Sequence, residues 1–412
     1  MKIKKVIAKQ IKDSRREFTI KVIVKTGFFT RFETSSPAGK STGSYEARSY
    51  AKSLDGDCEF INSIDPEGIN EIINRHENPI GNTEAFSILK DIEKLVKNNI
   101  GANTLFALEA SLLKMFAHEN NKQLYEFLHV SPKSDRDKKF NLPHLVGNAI
   151  GGGLHSKGVK GIKPDFQEFL FVGDSDTIKE CVKTNKEAYL LAGGLLNAKN
   201  KNDEGAWETD KTNEEVLDIM NQVQEKFKEQ GKDIFIGVDA ATSSFYKEDK
   251  YVYKNNPKEL NKSQQVEYIK ELINKYSIYY LEDPLEENDF SGFKSLTGRN
   301  CFIVGDDLTT TNPERLEKAV KNKSINAIIV KPNQIGSLLK VKEVIDLAKK
   351  NKIVTIISHR SGETMDNTIA DLAVAWGCNF IKTGIYGRVR EAKLKRLIEI
   401  EKQVNKEQTN NI

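Results

Sequence analysis

Five short apolar runs in the C-terminal half of the chain each end on a charged or titratable residue: YLED at Glu282, FIVGDD at Asp306, AIIVK at Lys331, VTIISH at His359 and NFIK at Lys382. Successive end residues are 24, 25, 28 and 23 positions apart. Apolar runs this short, bounded by loop residues, read as buried strands. An ion cannot stay unpaired in a core, where burying it costs on the order of several kcal/mol. Each charge therefore marks the point where a strand opens into a loop. Between the runs lie helical patterns: PERLEKAVKN, SLLKVKEVIDLAKKN and DNTIADLAVAWG. A further run, DIFIGVDAA, carries Asp239 and stands 43 residues before Glu282. Repeated strand–helix units demand a parallel sheet. Several in a row, each ending on a polar residue, point to an α/β barrel with its site at the strand C-termini.

At 412 residues the chain exceeds one ordinary core, so two domains are expected. Its 63 basic and 59 acidic residues leave a net charge of +4, which argues against nucleic acid as a main partner. No apolar run reaches the roughly 18 residues of a membrane span, and MKIKKVIAKQIKDSRR lacks the apolar segment of a secretory signal. A cytoplasmic location is the expectation. Cys58, Cys181, Cys301 and Cys378 are scattered, which suits buried reduced thiols and neither a disulfide framework nor a zinc site.

Residues 1–129 read as a small α+β domain. Residues 3–34 alternate like paired strands, and 66–128 are helical, with Leu105, Leu108, Leu112 and Met115 as core positions. The loop SSPAGKSTGSYEA (35–47) contains Gly-Lys-Ser, but Thr34 stands where a P-loop needs its first glycine. It is an ordinary surface loop or a mobile lid hinged at Gly39 and Gly43. His118 lacks the second histidine of a zinc helix, because Lys122 occupies that place, and His76 lacks a partner too. The polar, proline-bounded stretch 130–143 is the expected linker. Residues 144–412 then carry a glycine-rich loop with His155, a strand with Glu168, and a polar loop with Asp203 and Glu204.

Asp239, Glu282 and Asp306 should converge at one barrel mouth. Like charges repel, so the cluster calls for a cation, and an oxygen-only donor set favours a hard ion such as Mg²⁺. Lys331 and Lys382 sit on nearby strand ends. A lysine beside a metal and a second cation is expected to have a lowered pKa and to act as a general base. The metal would stabilise the oxyanion formed when a proton leaves a carbon next to a carboxylate. Glu168 or Glu204 could supply the acid, and Arg360 could grip an anionic group with its fork. Any one of these residues alone fits a mouth ion pair without chemistry; the ordered series favours a site.

The same residues carry a resemblance. DSR (13–15), STG (41–43), QEF (167–169), DEG (203–205), LEDP (281–284), DDLT (306–309), KPNQIG (331–336), SHRSGET (358–364) and IKTG (381–384) together resemble the enolases, the Mg²⁺-dependent phosphopyruvate hydratases of glycolysis and gluconeogenesis. The resemblance implies a modified (β/α)8 barrel of order ββαα(βα)6 behind a smaller α+β N-terminal domain, which accounts for the long step before Glu282. It implies that Asp239, Glu282 and Asp306 hold a first Mg²⁺, with Glu282 and Asp306 also against substrate. Ser41 would help hold a second Mg²⁺ with the substrate phosphate. Lys331 would take the C2 proton of 2-phosphoglycerate, and Glu204, with Glu168 beside it, would protonate the departing hydroxyl. His155 and Lys382 would contact substrate, and Ser358, His359, Arg360 and Ser361 would bind its phosphate. It also implies a homodimer or an octamer.

The chain departs from the family in three loops. DSRREFTIK replaces DSRGNPTVE, GGGLHSKGVKGIK replaces GGSHAGG, and NDEGAW replaces GDEGG, which puts Ala206 and Trp207 beside the expected acid. The leading expectation is an active enolase. The alternatives are a divergent paralogue acting on another hydroxy acid, or an enolase-shaped binding protein with little activity.

Overall fold

The computed structural model describes residues 2–40, 43–76, 79–129 and 140–410. Strands Lys5–Lys12, Phe18–Lys25 and Arg31–Ser35 form an antiparallel sheet in sequence order. Pairs such as Val6↔Val24 and Ala8↔Val22 put alternate apolar residues on one face, as the two-residue period of a strand requires. That face is buried, and helix Ala102–Glu119 lies against it, with Leu108, Leu112 and Met115 fully buried. Ser111 Oγ donates to the Val22 carbonyl at 3.1 Å, tying helix to strand. His118 meets the edge of Phe32 at 5.3 Å and has a packing role.

The second unit is a closed eight-stranded barrel. Its strands in spatial order are His144–Gly151, Glu168–Asp174, Asp233–Asp239, Tyr280–Glu282, Phe302–Gly305, Ala327–Val330, Val354–Ser358 and Phe380–Lys382. The Phe380↔His144 pairing closes the ring. Glu168–Asp174 is antiparallel to both neighbours and every other pair is parallel. Two helices, Ile178–Leu195 and Asn213–Glu229, separate it from Asp233–Asp239, so the order is ββαα(βα)6. The reversed strand has a consequence for the site: its first residue, Glu168, reaches the same rim as the last residues of its neighbours. Val146, Leu170, Val172, Tyr280, Val304, Ala327, Ile329, Ile356 and Phe380 form a cluster filling the barrel interior.

Helix boundaries follow local chemistry. Helix Pro313–Asn322 starts with Asn312 accepting from Glu314 and Arg315 N–H and with proline in its first turn, and it ends at Lys323 in a left-handed conformation. It buries Leu316 and Ala319.

The two units share a continuous seam. Ala38 bridges to Gly362, Ser35 Oγ lies 2.8 Å from Thr364 Oγ1, and Asn333 Nδ2 donates to Asn103 Oδ1 at 2.9 Å. Gly336, at φ 81°, backs onto Ala102 so closely that a Cβ would lie 2.6 Å from the Ala102 Cα. This docking carries the loop around Gly39 and Glu46 over the barrel mouth. Of the expected linker, residues 130–139 lie outside the described residues. All four cysteines are free and buried.

Candidate active site

The rim collects most of the residues singled out from sequence. Asp239, Glu282, Ser358 and Lys382 are the last residues of their strands, and Asp306 and Lys331 stand one position beyond theirs. Lys382, only 2% exposed, lies at the centre. Its Nζ is 2.8 Å from Glu282 Oε2, 2.9 Å from Asp239 Oδ2 and 3.2 Å from Glu168 Oε2. Lys331 Nζ pairs with Asp306 Oδ2. A cavity of about 50 Å³ lies among these groups, with Arg360, His359 and Ser361 on its wall.

Two loops complete the mouth. The segment Trp207–Glu208 pairs with Ile150–Gly151, which swings the loop carrying Glu204 onto the rim. Asn148 Nδ2 donates to Glu204 Oε2 at 3.1 Å, and His155 Nδ1 lies 3.9 Å from Glu204 Oε1. Gly39 packs on the Arg360 guanidinium, where a Cβ would sit 1.9 Å from Nη2. Arg360 Nη1 also pairs with Glu46 at 3.0 Å. Ser41 lies outside the described residues.

The electrostatics separate the carboxyls. Burial, then the Glu204 charge, pushes Glu168 well above the usual carboxylate range. Burial opposes ionisation of Glu204 too, but His155 first, with Arg390 and the Asn148 bond, outweighs it and holds Glu204 well below that range. The two shifts run in opposite directions, so of the pair Glu168 holds a proton more tightly than Glu204. His359 is held neutral, mainly by burial.

Lys331 differs from its expected state. Burial disfavours its ammonium, but Asp306 and Glu282 outweigh burial and raise its pKa above the ordinary lysine value. The expected lowering was for a lysine beside a bound metal and a second cation; in the protein alone the direct Asp306 contact dominates.

The carboxylate arrangement also differs in detail. Among the described residues, the groups whose donor atoms all lie within 4.8 Å are His155–Glu168–Glu204 and Asp283–Asp306–Asp307. The expected trio Asp239, Glu282 and Asp306 is not among these groups; Lys382 pairs with the first two and Lys331 with the third. The donor set still suits a hard divalent ion. Seven acids, Glu46, Glu168, Glu204, Asp239, Asp283, Asp306 and Asp307, line the cavity against Lys331, Arg360 and Lys382. Buried Glu282 Oε1 has no hydrogen-bond partner among the described residues. Burial and the charge of Asp239 push Glu282 up to about 8, and burial and Asp306 push Asp307 up to about 7. Such crowding is relieved by a dication bound to oxygen.

Sequence reasoning missed Glu46, Asp283 and Asp307. Asp283 accepts the Asp306 and Asp307 N–H groups at 3.1 and 2.6 Å, so it shapes the loop that presents Asp306. The doubled acids in LEDP and GDDL were the available signal.

Comparison with known proteins agrees with this geometry. The model for the enolase C-terminal TIM barrel domain matches residues 139–411, and the model for the enolase N-terminal domain matches 3–128. The chain belongs to the enolase family. An enolase of Methanosphaera stadtmanae is 38% identical over 419 residues, covering 98% of this chain and 97% of its own length. One from Thermoplasma acidophilum is 35% identical over 413 residues, covering 97% and 98% respectively. A bacterial enolase, from Ehrlichia canis, is 35% identical over 425 residues, at 98% and 97% coverage. No helix among the described residues is long and apolar enough to cross a membrane.

Proposed function

We propose that this chain is a lyase, a phosphopyruvate hydratase that reversibly dehydrates 2-phospho-D-glycerate to phosphoenolpyruvate. What supports the reading is that Lys331, paired with Asp306, and the carboxyls of Glu168 and Glu204 line one buried, acid-rich cavity. Deprotonated Lys331 takes the C2 proton. Glu204 faces the C3 hydroxyl and protonates it with the proton passed from Glu168, the member of the pair that holds it, and the hydroxyl leaves as water. Arg360, with Ser358, His359 and Ser361, binds the phosphate, and a guanidinium is the side chain best shaped for it. His155 and Lys382 hold the remainder of the substrate.

Asp239, Glu282 and Asp306 are the proposed ligands of one Mg²⁺, and Ser41 of a second. Bound there, the metal would stabilise the oxyanion and draw off the carboxylate charge that now favours the Lys331 ammonium. The cytoplasmic location, a homo-oligomeric state and the division into a capping domain at 1–129 and a catalytic domain at 144–412 belong to the same proposal.

The test is formation of phosphoenolpyruvate from 2-phosphoglycerate by the purified chain, followed by ultraviolet absorbance. Turnover should require Mg²⁺, and Lys331→Ala should lower kcat by about 10²–10⁴-fold. No Mg²⁺-dependent product from the unaltered protein would sink the proposal.

A further inference from the structure

Lys40 stands outside the constellation above, yet it touches three of the loops that build the mouth. Its Nζ donates to the Leu154 carbonyl at 2.8 Å and lies 3.3 Å from Asp203 Oδ2. Its backbone N–H donates to Ser361 Oγ at 2.9 Å. Two of the contacted residues adjoin site residues, Leu154 before His155 and Asp203 before Glu204, and Ser361 itself lines the cavity beside Arg360. The other Asp203 oxygen is 3.3 Å from His155 Nδ1.

Lys40 adds to the ties these loops already have. The His155 loop includes Gly153, Gly158 and Gly161 at positive φ, and beyond the local Val159–Ile162 bridge it is tied by Lys163 Nζ to the Ser156 carbonyl and by the Lys157 N–H to Glu208 Oε1, each at 2.7 Å. Glycines in such conformations lose the most freedom on ordering. The Glu204 loop is already braced on its far side. There Tyr189 OH donates to the Gly205 carbonyl at 2.8 Å, Trp207 Nε1 donates to the Tyr189 carbonyl at 2.9 Å, and Lys201 sits over the Tyr386 ring. The side of that loop facing His155 is reached by Lys40.

We propose that Lys40 is a positioning residue, whose ammonium bridges the Leu154 carbonyl and the Asp203 carboxylate and so sets His155 against the Glu168 and Glu204 carboxyls. It acts through those two loops and not on substrate, since its ammonium is directed at a main-chain carbonyl and a carboxylate. Both contacts are charge-assisted, the kind that best fixes geometry between flexible segments. A small misplacement of such groups is enough to slow proton delivery. The inference rests on the dehydratase reading of the site.

The experiment uses the full chain and four variants: Lys40→Met, Lys40→Arg, Asp203→Asn and the double variant Lys40→Met/Asp203→Asn. Lys40→Met should lower kcat about tenfold while KM changes by less than about threefold, and Lys40→Arg should restore most of kcat. The double variant should be no slower than the slower single, because both changes cut one link. Hydrogen exchange, which needs no turnover, should quicken in Lys40→Met around 154–157 and 203–206 while the barrel strands stay protected. Unchanged exchange in those segments overturns the proposal, whatever the activity. So does a rise in KM alone, which would make Lys40 a substrate-binding group, failure of Lys40→Arg to recover kcat, or multiplying effects in the double variant. An unaltered protein that makes no phosphoenolpyruvate overturns the dehydratase reading instead, and the exchange data still judge the tie.

Discussion

Replacing Lys382 with methionine removes a buried charge while keeping most of the side-chain volume. In the native protein that ammonium is 2.8–3.2 Å from carboxylate oxygens of Glu282, Asp239 and Glu168. Removing one partner from a buried ion pair costs about 3–5 kcal/mol, because the remaining charge has neither water nor a counterion. The entropy of unfolding is about 2.1 cal/mol/K per residue, so 412 residues give roughly 0.9 kcal/mol/K. Lys382→Met should therefore lower Tm by about 3–6 °C in EDTA near pH 8. The deficit has a definite pH sign. Glu282 is already pushed up to about 8, chiefly by burial and then by Asp239, with Lys382 opposing the rise. A folded carboxyl with a raised pKa keeps its proton longer than the unfolded chain does, so stability falls as pH climbs from the unfolded value toward the folded one. Loss of Lys382 widens that interval, so the deficit should shrink toward pH 5 and be largest above pH 8. Mg²⁺ can replace part of the missing positive charge if the carboxylates hold it. The variant should then gain more Tm from Mg²⁺ than the native protein does, where an ion at 100 times its Kd adds about 2.7 kcal/mol. Calorimetry at several pH values, with EDTA and with Mg²⁺, reads all three effects. Equal stability of variant and native protein in EDTA at pH 8, or a deficit that does not shrink toward pH 5, would refute the reasoning.

Two further changes probe the seam and the mouth. Gly39→Ala would drive a Cβ to within 1.9 Å of Arg360 Nη2 and 2.6 Å of its Cζ, and Arg360 is held by Glu46. Steady-state kinetics should show KM for the phosphorylated substrate rising by about tenfold or more, and an unchanged KM would mean the guanidinium steps aside freely. Glu109, fully buried, accepts from the Leu338 N–H at 2.6 Å, and burial together with Glu93 holds its pKa well above the usual range. It stays protonated in the fold, and its unfolded counterpart ionises as pH rises, so it costs stability toward high pH. Glu109→Gln should raise Tm by about 1–3 °C at pH 8 and by less at pH 5; an equal gain at both, or a loss, contradicts this.

Much of the barrel was legible in local pattern. Run length, the charge that ends each run and the helical stretches between them depend on a few neighbouring residues, so Asp239, Glu282, Asp306, Lys331 and Lys382 could be set at strand ends from sequence. The ββαα opening came from the family resemblance and not from periodicity, and the antiparallel run of its second strand, which brings Glu168 to the rim by its first residue, was visible only in the pairing. Tertiary structure decided the partners. Lys331 meets Asp306, which raises its pKa, and Lys382 gathers Asp239, Glu282 and Glu168 around one ammonium. The Arg360–Glu46 pair joins residues 314 positions apart. A side chain's emergence at a strand end is a local property of the backbone. Its charge state depends on distances of a few ångström that exist only once the ring has closed and the N-terminal unit has docked on it.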